Sequence, residues 1–419
     1  MSELHSLLTF PDRPISKNYY VPKLEHFLKS GIPATYTLEQ VAAFEREERN
    51  KSEGKPEESK PEESSGDDKT SNTTPLHVLA RSLPLDINDE ELQVVLEMMN
   101  ILFEYGAGWN FIDYEDKTVG DLLLERQQNR ESPLYRRLVE AGVSAELLLR
   151  KLNGGDVEFL DTDEPENNDP EETIQRAFES KEQEPVVSYN EDDDATAANQ
   201  QVYLQTKLEY RDEALITKDN KDGVMMDWET KIMEIASKTL FPNPGATNSA
   251  TVLNIGFGMG IIDTFIQAQN PHRHYICEAH PDVLAKIRED GWYEKDNVVI
   301  LEGRWQDTLN QLLDEGEVFF DGIYYDTFSE HYQDMLDLYD VIVGLIKPDG
   351  VFSFFNGLGA DRSLCYDVYK KIVEIDVGNY GMICDYTTYS LDEQLPDWND
   401  VKRSYFNCNY YYHPRIAFA

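Results

Sequence analysis

The chain has 419 residues, enough for two or three domains with full hydrophobic cores. It carries 80 acidic and 38 basic side chains, which gives a formal net charge of −42. A charge this negative repels phosphates, so we expect neither a nucleic acid nor an anionic membrane as partner, and we expect basic proteins instead. The four cysteines are widely spaced, which indicates reduced thiols rather than a disulfide framework or a zinc site.

The N-terminal segment, residues 1–50, predicts helices. Its first residues lack the basic start and apolar core of a signal peptide. No run approaches the ~18 apolar residues that a membrane span needs. We therefore expect a monomeric, soluble protein of the cytoplasm and nucleus.

Two segments predict linkers. Residues 51–70 repeat a KPEES unit and contain no aliphatic or aromatic residue, so burial cannot offset the entropy of ordering them. Residues 156–200 hold 16 acidic residues against Arg176 and Lys181, and we expect a mostly disordered acidic hinge.

Between these linkers, residues 71–155 have a helical pattern. Thr74-Pro75-Leu76-His77 matches the turn that opens an ankyrin repeat, and a similar start occurs at Thr118. The spacing of 44 residues, against the usual ~33, predicts an insertion near Leu83–Glu91. We expect a small ankyrin-like array that contacts a protein partner, with packing against the second domain as the open alternative.

Residues 201–419 alternate strand-like and helix-like runs, which indicates an α/β fold with a parallel, doubly wound sheet. The aromatic tail, Tyr405–Phe418, predicts extra strands at the edge of this sheet. The other predicted strands are Thr251–Ile255, His274–Cys277, Val298–Leu301, Phe319–Tyr325 and Val351–Phe355.

A glycine-rich turn, NIGFGMG, follows the first of these strands and opens a helix. Gly256, Gly258 and Gly260 let the backbone approach a ligand without a Cβ in the way. A dinucleotide fingerprint would need glycine where Ile261 stands, and the Gly-Lys-Ser/Thr of a Walker loop is absent. The form suits S-adenosylmethionine, with a tight turn that binds nothing as the alternative.

Two further positions fit the same ligand. Glu278 ends the next strand, 20 positions beyond Gly258, where an acid can accept hydrogen bonds from both ribose hydroxyls. Trp305 and Gln306 follow the third strand, where an aromatic face and an amide can hold adenine. The alternatives are a solvated carboxylate for Glu278 and a core position for Trp305.

A pair of acids indicates the second substrate. Glu229 lies in VMMDWETKIM, before the glycine turn, and Asp326 ends the fourth strand in YYDTF. Strand ends of a doubly wound sheet face the ligand crevice. Two carboxylates there match a planar guanidinium with forked donors, although either acid alone would more often be a surface charge or a helix cap.

The motifs VMMDWET, NIGFGMG, CEAHP, GRWQD, YYDTF and LIKPDG together resemble the fungal arginine methyltransferases that modify the internal δ-nitrogen, often called type IV. Their catalytic domain is similar to guanidinoacetate N-methyltransferase. The resemblance extends from about Tyr203 to the last residue and also covers the ankyrin-like region. It implies a class I, Rossmann-like methyltransferase domain at 201–419, S-adenosyl-L-methionine as cofactor, no metal, and a basic protein substrate of ribosomal type.

The resemblance also assigns residues. Glu229 and Asp326 are expected to hold the guanidinium, with Asp326 also beside the cofactor, and Met225 is a weaker cofactor candidate. Asn254 replaces an acidic residue of many methyltransferases, which puts little in doubt because Glu278 remains. The remaining cofactor-binding residues that the family implies are Tyr203, Met233, Phe257, Gly258, Met259, Gly260, Ile261, Ile262, Glu278, Ala279, His280, Trp305 and Gln306.

The mechanism that follows is concerted, because a free aspartate with a pKa near ~4 cannot first deprotonate a guanidinium with a pKa above ~12. Two alternatives stay open at this point. One is methylation of a small guanidino compound, and the other is an ankyrin adaptor whose methyltransferase fold has lost its activity.

Overall fold

The computed structural model describes residues 3–52, 71–153, 199–391 and 404–419, together with positions 196, 395, 398, 401 and 402. The two predicted linkers lie almost entirely outside these residues. The chain divides into two units, one of residues 1–150 with Arg362–Ile372 and one of Lys151–Asp361 with Val373–Ala419. Within the described residues, every helix is too short or too polar to span a bilayer.

The described part of the first unit is helical. Thr74 is the N-cap of α4, and Nδ1 of the buried His77 accepts a hydrogen bond from the Thr74 N–H at 3.3 Å. Thr118 is the N-cap of α6: its N–H donates to Asp121 Oδ2 at 2.9 Å, and its hydroxyl oxygen accepts the Asp121 N–H at 3.2 Å. Two helices therefore begin at the predicted threonines, while the ankyrin-like repeat stays a prediction. The helices are α1 (Glu3–Leu7), α2 (Lys17–Lys29), α3 (Leu38–Ser52), α4 (Pro75–Arg81), α5 (Asp89–Glu104), α6 (Val119–Glu125) and α7 (Pro133–Asn153).

The second unit alternates strands and helices. Three short strands come first, β1 (Leu208–Tyr210), β2 (Ala214–Thr217) and β3 (Gly223–Met226), and they form a separate antiparallel sheet. The strands of the main sheet are β4 (Thr251–Ile255), β5 (Arg273–Glu278), β6 (Val298–Glu302), β7 (Phe320–Tyr325), β8 (Ile346–Phe354), β9 (Met382–Ser390) and β10 (Tyr410–Phe418). The helices are α8 (Gln200–Gln205), α9 (Thr230–Thr239), α10 (Ile261–Ala268), α11 (Pro281–Glu289), α12 (Trp305–Glu315), α13 (Tyr332–Leu345) and α14 (Ser363–Gly378).

The main sheet has the order β6-β5-β4-β7-β8-β10-β9, and its first five strands are parallel. The predicted α/β fold and its five parallel strands are therefore confirmed. The tail was expected at the edge of the sheet, and this is wrong in one respect. Strand β10 lies between β8 and β9 and pairs antiparallel with both, so β9 forms the edge.

Strand β4 is the middle one of the five parallel strands, with β5 on one side and β7 on the other. Its side chains alternate between two apolar layers: Leu253 and Ile255 pack in one layer with Phe320, and Val252 packs in the other with Ile276. Ligands of doubly wound sheets bind beyond the carboxyl ends of the strands where the order reverses. The carboxyl ends of β4, β5 and β7 are therefore the expected site.

Candidate active site

The turn after β4 brings three strand ends together. Gly256, Gly258 and Gly260 all have positive φ, at +94°, +55° and +71°. A Cβ on Gly256 would lie 1.9 Å from the carbonyl oxygen of Asp326, so only glycine fits there. The Gly256 N–H donates to the Cys277 carbonyl and the Asp326 N–H donates to the Ile255 carbonyl, each at 2.9 Å. Asp326 is thereby fixed beside the glycine turn.

Glu278 ties this turn to the end of β5. Its Oε2 accepts the Phe257 N–H at 2.9 Å, and its Oε1 accepts the N–H groups of Ala279 at 2.8 Å and His280 at 2.7 Å. The side chain is buried rather than solvated, and burial raises the pKa of its carboxyl despite these donors. Each carboxylate oxygen has two lone pairs, so Oε1 is filled by its two donors and Oε2 keeps one lone pair for one further donor such as a hydroxyl.

A first cavity, of about 60 Å³, lies against this turn. The weaker candidate Met225 is part of its lining, and the thioether sulfur of Met225 accepts the Met259 N–H at 3.2 Å. Predicted cofactor residues that line the cavity are Tyr203, Gly258, Glu278, Ala279, Trp305 and Asp326.

The other predicted cofactor residues lie outside this lining. Phe257, Met233 and Ile262 are side chains of the apolar core. The ring of His280 contacts the carbonyl oxygens of Tyr203 at 3.2 Å and Thr206 at 3.1 Å, so it positions α8. The remaining four are Met259, Gly260, Ile261 and Gln306.

The residues present fit S-adenosylmethionine. The glycine turn offers backbone without Cβ atoms for the methionine part, and Glu278 offers acceptors for hydroxyls. Among the described residues, Gln306 Oε1 is buried with no hydrogen-bond partner. Such an orphaned acceptor is costly unless a donor arrives, but Gln306 lies outside the lining of the cavity, so the fit rests on the glycine turn and Glu278. Trp305 is both a core residue and part of the cavity wall.

The sequence analysis missed Glu330, which joins the elements around this cavity. Its carboxylate accepts hydrogen bonds from Trp305 Nε1 at 2.9 and 3.1 Å and from Gln306 Nε2 at 3.1 Å. Gln200 Nε2 at 2.5 Å, Thr327 Oγ1 at 2.6 Å and the Tyr325 hydroxyl also donate to it. An acid four positions after Asp326, in the same loop, was the available signal.

A second cavity, of about 290 Å³, holds both predicted guanidinium-binding acids. Glu229 and Asp326 line it together with Tyr405 and with apolar side chains that include Phe355 and Leu358. The two cavities adjoin, because both are lined by Val224, Asp326, Thr327, Phe328 and Glu330. Asp326 therefore stands at the wall that the cavities share.

Among the described residues, no cationic group acts on the pKa of Glu229 or Asp326. Burial, reinforced by the negative charge of Asp326, raises the pKa of the Glu229 carboxyl. Burial, reinforced by Asp263, likewise raises the pKa of Asp326. Asp326 Oδ2 is buried and has no hydrogen-bond partner among the described residues. Charge and geometry both favour a cationic ligand between them.

Known proteins match this chain over its whole length. A family model described as guanidinoacetate N-methyltransferase matches residues 195–416. The protein arginine N-methyltransferase 2 of Saccharomyces cerevisiae is 83% identical over 419 residues, all of both chains. Those of Candida glabrata and Yarrowia lipolytica are 67% and 40% identical, over 100% and 99% of this chain and 100% and 97% of theirs.

The chain belongs to the protein arginine N-methyltransferase 2 family. This membership confirms the resemblance to arginine methyltransferases inferred from the motifs. An enzyme of this family transfers a methyl group to arginine in a protein substrate, and S-adenosylmethionine is the methyl donor that family and fold imply. The residue assignments within the site stay predictions.

Proposed function

We propose that the enzyme methylates the internal δ-nitrogen of an arginine side chain in a basic protein, and that Glu229 and Asp326 hold the guanidinium. One observation carries this proposal. The buried Glu229 and the half-buried Asp326 line one cavity, and Asp326 also lines the adjoining cavity of the glycine turn. A cation held by this pair lies next to the place where the methyl donor fits.

A guanidinium supplies both the positive charge and the hydrogen-bond donors that suit Glu229 and Asp326. It stays protonated in proteins and presents flat, forked N–H donors that match carboxylates. The raised pKa values mean that the pair holds a proton up to a higher pH than free carboxyl groups do. A bound cation stabilises both ionised carboxylates, so substrate binding releases that proton.

The chain's own residues then position the substrate and accept a proton. S-adenosylmethionine, when bound, supplies an electrophilic methyl group on a sulfonium sulfur. Glu229 orients the terminal amino groups of the guanidinium, and Asp326 accepts the hydrogen bond of the internal N–H. As the nitrogen–carbon bond forms, the methyl–sulfur bond breaks and its electron pair goes to sulfur. The internal N–H bond breaks as well and its proton passes to Asp326, so the product keeps a single positive charge. Orientation of this kind lowers barriers by up to about 7–11 kcal/mol in ideal cases.

Two features support a protein substrate with basic character. The apolar side chains of the second cavity, such as Phe355 and Leu358, suit the methylene groups of an arginine side chain. The net charge of −42 attracts basic proteins, of which ribosomal proteins are an abundant class of the cytoplasm and nucleus.

We infer in addition that the N-terminal helices form a short ankyrin-like array that contacts a protein partner. The support is the pair of capped helices, α4 and α6, that begin at Thr74 and Thr118, with a β-bridge between Ile112 and Thr118 in the segment between α5 and α6. Replacement of the exposed Leu85 and Tyr114 by serine in the full chain should then weaken association with the protein substrate more than it weakens cofactor binding.

The experiment uses the full chain, S-adenosylmethionine with a labelled methyl group, and arginine-rich peptides. Fragmentation of the product by mass spectrometry distinguishes a methyl group on the internal nitrogen from one on a terminal nitrogen. A methyl group on the terminal nitrogens contradicts the proposal. The match to the guanidinoacetate N-methyltransferase model favours a second candidate, methylation of a small guanidino compound. Turnover of guanidinoacetate without turnover of peptides would establish that candidate instead.

A further inference from the structure

The hydroxyl of Tyr405 donates a hydrogen bond to Oε1 of Glu229. The same oxygen accepts the Met226 N–H at 3.0 Å. Tyr405 precedes β10 and lies 176 positions along the chain from Glu229. Oε1 is thus held by two donors of the chain itself. Among the described residues, Oε2 accepts no hydrogen bond, so it is the oxygen available to a ligand.

The direction of the tyrosine hydroxyl is also fixed. Trp228 Nε1 donates to the Tyr405 oxygen at 3.2 Å. An indole N–H is a donor only, so the proton of the tyrosine hydroxyl must point to another acceptor. That acceptor is Glu229. A directed chain of hydrogen bonds therefore runs from Trp228 through Tyr405 to Glu229.

Aromatic packing holds the Tyr405 ring in this position. Its centroid lies 4.8 Å from that of Trp398, 6.1 Å from that of Trp228 and 6.4 Å from that of Phe355. A Cβ on Gly223 would lie 3.3 Å from the Tyr405 ring, so the opposite side is closely packed as well. Tyr405, Glu229 and Phe355 all line the second cavity.

We propose that Tyr405 is a positioning residue for methyl transfer: it saturates Oε1 of Glu229 so that Oε2 meets the guanidinium of the substrate. This inference rests on the proposed function of Glu229. Besides Tyr405, the titratable groups that interact electrostatically with the Glu229 carboxylate are Asp326, Tyr324 and Tyr411. Tyr405, in contrast to these three, donates a hydrogen bond to this carboxylate, which favours its ionised form.

The test is Tyr405→Phe in the full chain, with kcat/KM for an arginine peptide measured from pH 6 to 10. The variant keeps the ring and loses only the hydroxyl. We expect kcat/KM near pH 7.5 to fall about 10- to 100-fold, the cost of one hydrogen bond to a charged group. We also expect the acid limb of the pH profile to move to higher pH, because the pKa of Glu229 rises when this donor is lost. The Kd for S-adenosylmethionine should not change.

Tyr293→Phe is the matched control, because Tyr293 also donates a hydrogen bond to a glutamate, Glu302, at 2.6 Å, on an exposed surface. Its profile should equal that of wild type. A Tyr405→Phe enzyme with an unmoved acid limb, whatever its melting temperature, would overturn the positioning role. Should this variant not fold, Trp228→Phe releases the tyrosine hydroxyl, and a smaller shift in the same direction is then expected; an unmoved limb would overturn the proposal equally. Failure of the proposed function is distinguishable, since wild type itself would then leave peptide arginine unmethylated or methylate a terminal nitrogen.

Discussion

The backbone of Gly256 lies directly against the carbonyl group of Asp326, with room for a hydrogen atom but not for a Cβ, which would lie 1.9 Å from the oxygen. This contact joins the glycine turn to the acid that stands between the two cavities. The carboxylate of Asp326 and the turn that fits the methyl donor therefore depend on one another for their positions.

Gly256→Ala should damage binding of S-adenosylmethionine and stability together. The positive φ costs about 1–3 kcal/mol for a residue with a side chain, and the overlap with Asp326 adds to this. Thermal unfolding and a cofactor titration measure the two effects. Gly245→Ala is the control, since its Cβ meets open space. Cofactor affinity like that of wild type in Gly256→Ala would contradict the close approach.

Glu229→Gln and Asp326→Asn should each lower kcat at least about 100-fold, because each removes a charge that stabilises the transition state. We expect Glu229→Gln to leave the affinity for S-adenosylmethionine unchanged and Asp326→Asn to keep binding measurable. Single-turnover assays and calorimetry separate these quantities. Glu234→Gln and Asp337→Asn, on helices α9 and α13, are the controls. Either site variant at the wild-type rate would remove that acid from the mechanism.

The same two acids predict the pH dependence of activity and of stability. Their pKa values are raised, so the ionised pair that binds a cation is lost as pH falls, and kcat/KM should decline from alkaline toward acidic pH. The folded state holds these protons more tightly than the unfolded state, so this pair destabilises the fold increasingly as pH rises above about 4. Glu229→Gln should therefore melt at a higher temperature than wild type at pH 9, and by a smaller margin at pH 5. If Glu229→Gln raised the melting temperature by the same amount at pH 9 and at pH 5, this would argue against a raised pKa of Glu229.

Glu330→Gln should weaken cofactor binding, because the carboxylate gathers donors from Gln200, Trp305 and Gln306 around the first cavity. An amide offers one acceptor oxygen instead of two, and its NH₂ group opposes the other donors. We expect about a 10-fold rise in Kd, the effect of one hydrogen bond to a charged group. The exposed Glu317→Gln is the control. An unchanged Kd would show that Glu330 does not contribute to cofactor binding, and would leave it a role at the second cavity alone.

Features that depend on neighbours in the sequence could be predicted. Strands β4 to β7 are short apolar runs that end at turns, and the glycine turn follows one of them. Glu278 and Asp326 were found because each ends such a strand, and the topology of a parallel sheet brings strand ends to one edge. Glu229 was found by its motif.

Features that depend on distant packing could not be predicted. Tyr405 donates to Glu229 only because the tail folds back against Trp228, far away in the sequence. The apolar pattern of β10 shows that it is a buried strand, but it does not show whether one neighbour or two pair with it. The family resemblance predicts Phe257 and Ile262 as cofactor residues because they lie in the motif; their side chains pack into the apolar core, and their contact with the cofactor stays a prediction.

One helix limits how the enzyme can be cut into working fragments. The beginning of α14 belongs to the first unit, where Asp367 accepts hydrogen bonds from Tyr135 at 2.7 Å and from Arg130 at 3.0 Å. Leu364, Tyr366 and Val368 are fully buried there. A fragment that starts at residue 199 would retain Arg362–Ile372 without the residues of the first unit that bury it. This fragment would expose an apolar, aggregation-prone surface. The C-terminal part of the sequence thus contains a segment that belongs to the core of the first unit. Separate expression of the methyltransferase domain therefore requires polar substitutions at Leu364, Tyr366 and Val368.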